Sequence, residues 1–450
     1  MNKEFFVGKT VLLMGLGRFG GGADVARFAH GACAKVIVTD LSSAEQLSDS
    51  LSRLRDLDGI EFHLGSHDPT DFKQADVIVA NPAVPGDNKF LQIARRANRF
   101  VTSQIGIFFE LCPARTIGIT GANGKSTTTA LTAHLLKNMR SQTIWLSGNI
   151  GNQPLLTIID QINPNDLVVL ELSSFQLEQL AEIQKAPDIA LLTNLTPNHL
   201  DRHGTFANYC AAKENIFRFQ QLDEESPAVS IFNAEDEMGA EWYEKYHKDA
   251  GRTCVQFSAD DVSAELRSVY SLPGRANLSN LAAAMTIAKY FGAEEDRIKY
   301  CLPEFKALPH RLEFVQEING VRWYNDSIAT TPQSAIAALE AFDEPVIIIA
   351  GGYDKKLPFD ELGAKITKKA KAAVLIGQTA EKIAYAIKDT KIEHTESLAH
   401  AVQAANSLAE SGDVALLSPA CASYDMFDNF QQRGQEFVKL VRDISRLNSQ

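Results

Sequence analysis

One stretch, residues 116–129 (TIGITGANGKSTTT), limits most strongly how this chain can fold. Its first residues predict a short buried strand, its glycines a tight turn, and the residues from about Lys125 a helix. Such a turn presents backbone N–H groups to an anion, while Lys125 adds a positive charge and Ser126 can offer a hydroxyl to Mg²⁺. The spacing is the short form GxxGKS, with Ile119 where the usual phosphate loop has its first glycine. We therefore favour a triphosphate site over a purely structural turn with an exposed lysine.

Length and composition indicate an ordinary globular protein. Its 450 residues are enough for two or three domains. Acidic residues outnumber basic ones, 56 against 44, so a general nucleic-acid-binding surface is not expected. The six cysteines form no CxxC pair, which argues against a zinc knuckle or a disulfide framework and favours a reducing cytoplasm. No apolar run reaches about 18 residues and no export signal begins the chain, so we expect neither membrane insertion nor secretion.

A second glycine-rich turn follows the first predicted strand. Residues 9–14 predict that strand, residues 15–20 (GLGRFG) the turn, and residues 24–30 a helix that leads to a strand at 35–39, directly before Asp40. This is a full GxGxxG fingerprint with an acidic residue at the tip of the second strand. Three interpretations stay open here: an NAD site with Asp40 on the ribose hydroxyls, a site for another nucleotide diphosphate such as a UDP-sugar, or a packing turn with a surface aspartate.

The middle third places a carboxylate close to the phosphate turn in the predicted sheet. Residues 143–146 and 166–172 predict two more strands, and Glu171 lies at the carboxyl end of the second. Nucleoside triphosphatases hold Mg²⁺ with an acidic residue in this place, across from the hydroxyl of the loop. Glu171 is therefore a candidate magnesium ligand.

Two histidines follow the next predicted strand, at 189–193, within residues 194–203 (NLTPNHLDRH). They are four residues apart, but no third ligand follows with metal-site spacing, so a zinc site is the less favoured interpretation. His199 lies at a strand end, where it could face the same phosphates. The following helix contains Lys213, which the pattern alone predicts to be a solvated helix lysine.

Taken in order, these motifs resemble the ATP-dependent Mur ligases of peptidoglycan synthesis. The matching segments are residues 121–127 (GANGKST), 148–151 (GNIG), 171–174 (ELSS), 194–201 (NLTPNHLD) and 211–216 (AAKENI). That family uses the short form of the turn, which accounts for Ile119. The resemblance implies an amide ligase in which ATP phosphorylates a carboxylate and an amine then attacks the acyl phosphate.

The resemblance also implies the cofactors and their ligands. ATP is the implied co-substrate and two Mg²⁺ ions are the implied cofactors. Ser126 and Glu171 are the implied ligands of one ion, His199 and a carbamylated Lys213 those of the other, with Lys125 acting on the phosphates. This reverses the interpretation of Lys213 as a solvated lysine. The implied ATP-binding residues are Gly121, Asn123, Gly124, Lys125, Ser126, Thr127, Asn277, Asn280, His310, Arg311 and Asp326.

The last third resembles the branch of the family that adds D-glutamate to UDP-N-acetylmuramoyl-L-alanine. Residues 351–355 (GGYDK) and 418–425 (SPACASYD) carry this likeness. The residues it implies for D-glutamate are Thr330, Lys355, Ser423 and Phe430, a mixture of one cation and neutral groups that suits a dicarboxylate. Two positions depart from the family pattern: Ala276 stands in the place of a usual histidine, and Ile328 where some members carry a lysine.

The resemblance selects the UDP-sugar among the three interpretations of the first glycine turn. Its implied contacts to the UDP-substrate are Gly17, Arg18, Phe19, Asp40, Asn149 and His199. We expect an α/β chain of three domains, each with a mainly parallel sheet: a Rossmann-like UDP-substrate domain at 1–104, a P-loop ATPase-like domain at 105–304, and a Rossmann-like amino-acid domain at 305–450. We further expect a cytoplasmic monomer.

Two alternatives to a D-glutamate-adding Mur ligase stay open. The nearer one is another amide ligase of the same fold, either folylpolyglutamate synthase or a different Mur ligase, and the region around Lys355 and Ser423 distinguishes them. The distant one is an NAD-dependent dehydrogenase, which leaves the motifs between residues 118 and 216 unexplained. A non-catalytic nucleotide-binding module would keep a complete metal constellation without chemical purpose.

Overall fold

The computed structural model describes residues 1–18, 20–139, 141–150 and 154–447. They form two compact units: Met1–Asp261 with Asn280–Ile298, and Val262–Ser279 with Lys299–Gln450. Within the described residues, short 3₁₀ helices occur at Lys3–Phe6, Ile159–Gln161, Ala259–Asp261 and Leu302–Glu304. No described helix combines the length and the apolar run that crossing a membrane requires.

The first sheet belongs to the first unit. Its strands are β1 (Thr10–Met14), β2 (Lys35–Asp40), β3 (Glu61–Leu64), β4 (Val77–Ala80) and β5 (Phe100–Ser103). The helices of this part are α1 (Gly21–Gly31), α2 (Ser48–Ser52), α3 (Pro69–Gln74), α4 (Lys89–Arg96) and α5 (Gln104–Leu111). The strand order is β3-β2-β1-β4-β5 and every described pairing is parallel. The strands β1 and β4 are apolar and almost wholly buried, as in sheets covered by helices on both faces.

The second sheet of the first unit carries the phosphate turn. Its strands are β6 (Arg115–Thr120), β7 (Ile144–Gly148), β8 (Leu167–Glu171), β9 (Ile189–Leu192), β10 (Ala228–Asn233) and β11 (Arg252–Phe257). The helices are α6 (Lys125–Met139), α7 (Ser174–Glu182), α8 (Leu200–His203), α9 (Phe206–Arg218) and α10 (Glu237–Tyr246). The order β11-β10-β9-β6-β8-β7 is parallel throughout and places β6 between β8 and β9. The chain leaves β6 at a topological switch point, where open α/β sheets bind their ligands.

The first two sheets share one hydrophobic core. Val11 of β1, Phe108 of α5 and Leu170 of β8 all belong to a single cluster of buried side chains. These two sheets therefore support each other within the first unit.

Three helices follow the second sheet: α11 (Ala264–Val269), α12 (Arg275–Tyr290) and α13 (Glu295–Cys301). The helix α11 lies in the second unit, whereas α12 and α13 each have residues in both units.

The third sheet belongs to the second unit. Its strands are β12 (Glu313–Ile318), β13 (Val321–Asn325), β14 (Val346–Gly351), β15 (Ala370–Ile376), β16 (Lys391–His394) and β17 (Val414–Leu417). Its helices are α14 (Pro332–Glu340), α15 (Asp360–Lys369), α16 (Ala380–Ala386), α17 (Leu398–Leu408) and α18 (Phe430–Leu447). In the order β12-β13-β17-β14-β15-β16, the pair β12–β13 is antiparallel and the other pairs are parallel. Alternate residues of β14 pack on opposite faces: Ile347 lies in one core cluster and Ile348 in the other.

The predicted fold class is confirmed, since each of the three sheets is mainly parallel and helices accompany all of them. The domain boundaries at 104/105 and 304/305 stay a prediction.

Candidate active site

The phosphate turn joins the end of β6 to the start of α6, as its sequence predicts. Gly121 has φ +149°, and a Cβ at this position would lie 1.9 Å from Oγ1 of Thr193. Gly124 has φ +79°, and a Cβ there would lie 2.1 Å from Oδ1 of Asn280. The positive φ favours glycine at both positions, and a side chain at either one would have to displace Thr193 or Asn280.

Residues that follow β9 hold the turn in place. The side chain of Asn194 accepts a hydrogen bond from the backbone N–H of Asn123 (3.0 Å), and Oγ1 of Thr193 donates to the Asn123 carbonyl (2.6 Å). The backbone N–H of Ala122 donates to the Asn194 carbonyl, and Nζ of Lys125 donates to the Ala122 carbonyl over 2.9 Å. The turn is thus fixed with Lys125 folded over it at the N-terminus of α6, which is a favourable place for an anion. Ser126 and Thr127 belong to the first turn of the same helix.

Glu171 ends β8 and is only 2% exposed. Its Oε1 accepts a hydrogen bond from Nδ2 of Asn149 at 2.9 Å, whereas its Oε2 is buried without a hydrogen-bond partner among the described residues. A buried carboxylate oxygen without a donor is costly unless a cation or a proton reaches it. Glu171 therefore fits the part of a ligand for a hard cation such as Mg²⁺.

Lys213 is buried in α9, at 2% exposure, so the pattern-based prediction of a solvated lysine is wrong. Its Nζ donates to Oγ1 of Thr120, the last residue of β6, over 3.1 Å, and lies 5.0 Å from the centre of the Tyr209 ring. Burial lowers the pKa of Lys213 well below its usual range, and the charge of Lys125 lowers it further, while Glu171 opposes the shift. Burial therefore favours the unprotonated, nucleophilic form of this amine.

The two histidines four residues apart have different surroundings. His199 precedes α8 in a left-handed conformation (φ +51°), with its ring 5.2 Å from that of Phe175. Desolvation lowers the pKa of His199, and the charges of Lys213 and Lys125 add to the effect. His203 is buried instead, with Nε2 at 3.0 Å from the Ser174 hydroxyl. Within the described ranges, no three His, Cys, Asp or Glu side chains come together as metal ligands, so the less favoured zinc site gains no support.

The glycine turn after β1 is held by the aspartate at the end of β2. One carboxylate oxygen of Asp40 accepts from the backbone N–H of Gly17 (3.1 Å) and the other from that of Ser42 (2.8 Å). The Ser50 hydroxyl donates to the Gly17 carbonyl over 2.6 Å. Asp40 therefore shapes the turn itself. Arg18 is exposed on it, whereas Phe19 lies outside the described residues.

A buried carboxylate ties this turn to the second sheet. Asp24, in the first turn of α1, accepts hydrogen bonds from the backbone N–H groups of Leu155, Leu156 and Thr157 at 2.7–3.0 Å. The Thr157 hydroxyl (2.8 Å) and Nε2 of Gln104 (2.6 Å) also donate to it. Because hydrogen bonds to a buried charge are strong, Asp24 fixes α1 to the segment that follows β7.

In the second unit, the candidate nucleotide contacts surround a buried aspartate. Asp326 accepts from the backbone N–H of Leu312 (3.1 Å) and from the Ser418 hydroxyl (2.9 Å). Burial raises the pKa of Asp326 to about 7. His310 lies in a left-handed conformation with Nδ1 at 2.9 Å from Nδ2 of Asn325, and Arg311 follows it directly.

The two asparagines at the start of α12 fall in different units. Asn277, in the second unit, donates to the Pro273 carbonyl over 2.8 Å. Asn280, in the first unit, accepts from the Thr128 hydroxyl of the phosphate-turn helix over 3.2 Å.

The candidate amino-acid contacts are contributed by loops at the carboxyl edge of the third sheet. Ser423 is buried and its hydroxyl has no hydrogen-bond partner among the described residues. Lys355 follows β14, and partial desolvation lowers its pKa. Thr330 precedes α14, and Phe430 begins α18. A buried hydroxyl without a partner is costly, so the Ser423 hydroxyl is a candidate contact for a polar ligand.

Comparison with known proteins identifies the family. The family model for the Mur ligase middle domain matches residues 119–288, and that for the Mur ligase glutamate ligase domain matches residues 310–421. A UDP-N-acetylmuramoylalanine–D-glutamate ligase from Roseiflexus sp. (strain RS-1) is 40% identical over 97% of this chain and 99% of its own length. The chain belongs to the Mur ligase family. The resemblance stated from the sequence, and the class of enzyme it implied, a ligase, are confirmed.

Other relatives of this Mur ligase agree. A UDP-N-acetylmuramoylalanine–D-glutamate ligase from Acetivibrio thermocellus is 37% identical over 94% of this chain and 92% of its own. Among solved structures, UDP-N-acetylmuramate–alanine ligase from Thermotoga maritima aligns over 97% of this chain and 99% of its own, with a TM-score of 0.58 and 19% identity. This Mur ligase therefore shares the fold of that enzyme. Membership of an ATP-dependent family makes ATP its co-substrate.

Several residues that shape this Mur ligase site were not predicted from the sequence. Thr120, Thr193 and Asn194 hold Lys213 and the phosphate turn, and each directly flanks or begins a motif that the sequence singled out. Arg53 was missed as well: a Cβ on Gly20 would lie 2.1 Å from its Nη1, so its guanidinium lies against the first glycine turn. No local pattern marks Arg53, because its approach depends on the packing of α2 beside α1.

Proposed function

We propose that this Mur ligase joins D-glutamate to UDP-N-acetylmuramoyl-L-alanine at the expense of ATP, giving ADP, phosphate and a new amide. The names of the Roseiflexus and Acetivibrio relatives support this choice of substrates. One observation supports this chemistry above all. A phosphate turn, a buried lysine and a buried carboxylate oxygen without a hydrogen-bond partner among the described residues all lie at the same edge of the second sheet.

The proposed reaction has two steps, because a free carboxylate has no leaving group that an amine can displace. An amine that attacked the free alanyl carboxylate would have to expel oxide, so one carboxylate oxygen is first phosphorylated by the γ-phosphoryl group of ATP. The amino group of D-glutamate then attacks the acyl phosphate, and the tetrahedral intermediate expels phosphate and loses a proton to leave the amide. Lys125 and the N–H groups of the turn, with Gly121, Asn123 and Gly124, stabilise the negative charge on the transferred phosphoryl group.

The donor set of the site suits two Mg²⁺ ions. We assign Ser126 and Glu171 to one ion, because Oε2 of Glu171 is buried without a partner. We assign His199 and carbamylated Lys213 to the other, because the charge of Lys213 contributes to the lowered pKa of His199. When bound, the ions neutralise phosphate charge and bring two anions together.

Carbamylation of Lys213 fits its surroundings. An unprotonated amine adds to CO₂ and releases one proton, which leaves an anionic carbamate in place of the neutral amine. Burial favours the unprotonated amine that this addition needs. The product is an anionic oxygen ligand, which suits Mg²⁺ far better than an ammonium group.

We propose three domains, at residues 1–104, 105–304 and 305–450, and assign the substrates to the following residues. The UDP-substrate is assigned to Gly17, Arg18, Phe19, Asp40, Asn149 and His199. ATP is assigned to the phosphate turn with Thr127, Asn277, Asn280, His310, Arg311 and Asp326. D-Glutamate is assigned to Thr330, Lys355, Ser423 and Phe430. The monomeric state and the cytoplasmic location stay predictions.

Phosphate release tests the proposal directly. The full chain is incubated with ATP, Mg²⁺ and UDP-N-acetylmuramoyl-L-alanine, and each of D-glutamate, L-glutamate, L-lysine and diaminopimelate is added in turn. We expect release that depends on D-glutamate alone. Release that depends instead on another amino acid, or on none, contradicts the proposal.

A further inference from the structure

Arg433 is a buried charge without a counter-ion. It lies in α18 at 0% exposure, and among the described residues no carboxylate approaches it within the 4.0 Å of an ion pair. The nearest acidic influence is that of Asp425, one oxygen of which is itself buried without a hydrogen-bond partner. Burial lowers the pKa of Arg433 to about 10, which leaves the guanidinium charged at neutral pH. An uncompensated buried charge is costly, so its retention calls for a reason.

The guanidinium contacts three separate loops. Its Nε donates to Oγ of Ser327 over 3.0 Å, and its Nη2 donates to the carbonyls of Ser327 (2.9 Å) and Cys421 (3.1 Å). Its Nη1 faces Gly352, where a Cβ would come within 3.3 Å of it. This Nη1 has no hydrogen-bond acceptor among the described residues.

Each of these loops carries a residue that we assign to D-glutamate. Thr330 lies three residues after Ser327, Lys355 three after Gly352, and Ser423 two after Cys421. Phe430 is joined as well, because the Ser327 hydroxyl donates to its carbonyl over 2.8 Å. One side chain therefore connects all four proposed contacts to the amino acid.

We infer that Arg433 is the positioning residue of the amino-acid pocket, and that its charge makes the pocket select a dicarboxylate over the corresponding amide. The inference rests on the proposed function and deepens it. Without Arg433 the three loops lose their common partner, so the spacing between Lys355 and Ser423 is no longer fixed. Without its charge, the pocket keeps Lys355 as its one assigned cation.

The electrostatics of the pocket agree with this role. Desolvation lowers the pKa of Lys355, and the charge of Arg433 contributes to the same shift, so the two cations lie close enough to repel each other. A bound amino acid with two carboxylates relieves that repulsion. The Ser423 hydroxyl, buried without a partner, is available to it as a neutral donor.

Two substitutions of Arg433 separate its geometry from its charge. Arg433→Met removes both, whereas Arg433→Lys keeps the charge but loses the planar fork that hydrogen-bonds two of the loops and faces the third. Arg322→Met is the matched control, because Arg322 belongs to the same unit but has its own carboxylate partner, Glu344. For each protein we would measure KM for D-glutamate, ATP and UDP-N-acetylmuramoyl-L-alanine by phosphate release, the preference for D-glutamate over D-glutamine, and the thermal unfolding midpoint.

We expect Arg433→Met to raise KM for D-glutamate roughly ten- to hundredfold, the worth of one or two charge-assisted hydrogen bonds, with much smaller changes for the other two substrates. Its preference for D-glutamate over D-glutamine should shrink. Arg433→Lys should also raise KM for D-glutamate but keep the preference, and Arg322→Met should change neither.

The inference is overturned if a folded Arg433 variant keeps the wild-type KM for D-glutamate, or if all three KM values rise together. If Arg433→Met does not fold, Arg433→Lys supplies the test through the same ratio of KM values. Failure of the proposed function is a distinct result, since the wild-type chain itself would then show no D-glutamate-dependent phosphate release.

Discussion

Nδ2 of Asn149 donates a hydrogen bond to Oε1 of Glu171 over 2.9 Å, and Oε2 of the same carboxylate is left buried without a partner. One oxygen is thus oriented by the protein and the other is free for a cation. Groups that orient a metal ligand typically change metal affinity by about ten- to hundredfold when removed. We therefore expect Asn149→Ala to raise the Mg²⁺ concentration for half-maximal phosphate release roughly tenfold. Asn163→Ala is the control, because its side-chain amide donates to the nearby carbonyl of Gln161. An unchanged Mg²⁺ requirement in Asn149→Ala would contradict the assignment.

The burial of Lys213 leads to a dependence on CO₂. Because burial lowers the pKa of Lys213, we expect the amine to be carbamylated and the carbamate to be required for activity. Wild-type protein in CO₂-depleted buffer should lose activity and regain it when bicarbonate is added. Lys213→Ala should lose activity by about a hundredfold or more, as expected for the loss of an electrostatic catalytic group, and bicarbonate should not restore it. Lys439→Ala, a change on the exposed side of α18, should behave as wild type. Wild-type activity that does not depend on CO₂ would falsify the proposal that Lys213 is carbamylated.

The phosphate turn allows the space around a glycine to be tested apart from its backbone conformation. Gly124 and Gly59 both have φ +79°, but a Cβ would meet Asn280 at 2.1 Å in the first case and nothing within 4 Å in the second. Gly59→Ala should therefore cost only the strain of a left-handed alanine, about 1–2 kcal/mol of unfolding free energy. Gly124→Ala should in addition displace the turn and raise KM for ATP by about tenfold or more. Equal KM values for ATP in the two variants would mean that the close approach to Asn280 does not shape the ATP site.

Asp326 should make stability depend on pH in a known direction. Burial raises its pKa from 3.8 to about 7, so the folded protein binds a proton that the unfolded chain releases between these values. The neutral carboxyl contributes its full stabilisation below about pH 4, and this contribution is lost as the pH rises through about 7. The loss lowers the free energy of unfolding by up to about 4 kcal/mol. We would measure the free energies of unfolding of wild type and Asp326→Asn from acid to neutral pH. The difference between the two proteins should change with pH in this direction. Asp343→Asn, at an exposed position, is the control. A pH-independent difference between wild type and Asp326→Asn would show that Asp326 does not titrate in this range.

The sequence predicted uniformly apolar strands better than strands that contain polar residues, and it missed β10 and β13 although both are largely buried. Strands such as β1, β8 and β9 are short apolar runs that end at turn residues, and their sequence alone predicts them. The edge strands β3 and β16 were not predicted, because their residues are largely polar and partly exposed. Edge strands depend on pairing with a neighbour, which no local pattern records.

The same limit applies to the site. The turn at 121–124 and Glu171 were predicted from local spacing, since a strand end and a glycine turn are local features. The burial of Lys213 depends on Thr120, which is 93 residues away in the chain, and the environment of Arg433 depends on Ser327, 106 residues away. Residue type misled the prediction for Lys213, because lysine is usually solvated, whereas Tyr209 and Phe217, four residues away on the same face of α9, are buried like Lys213 itself.

The hydrogen bonds of Asp24 bear on how this protein can be divided for study. An excised fragment that begins at residue 105 would lack the acceptor for the backbone N–H groups of Leu155, Leu156 and Thr157. It would also lose β1, whose side chains share a core with β8. A soluble fragment of the ATP-binding region must therefore include the first strand of the chain, and fragments cut at the proposed domain boundary should aggregate or unfold.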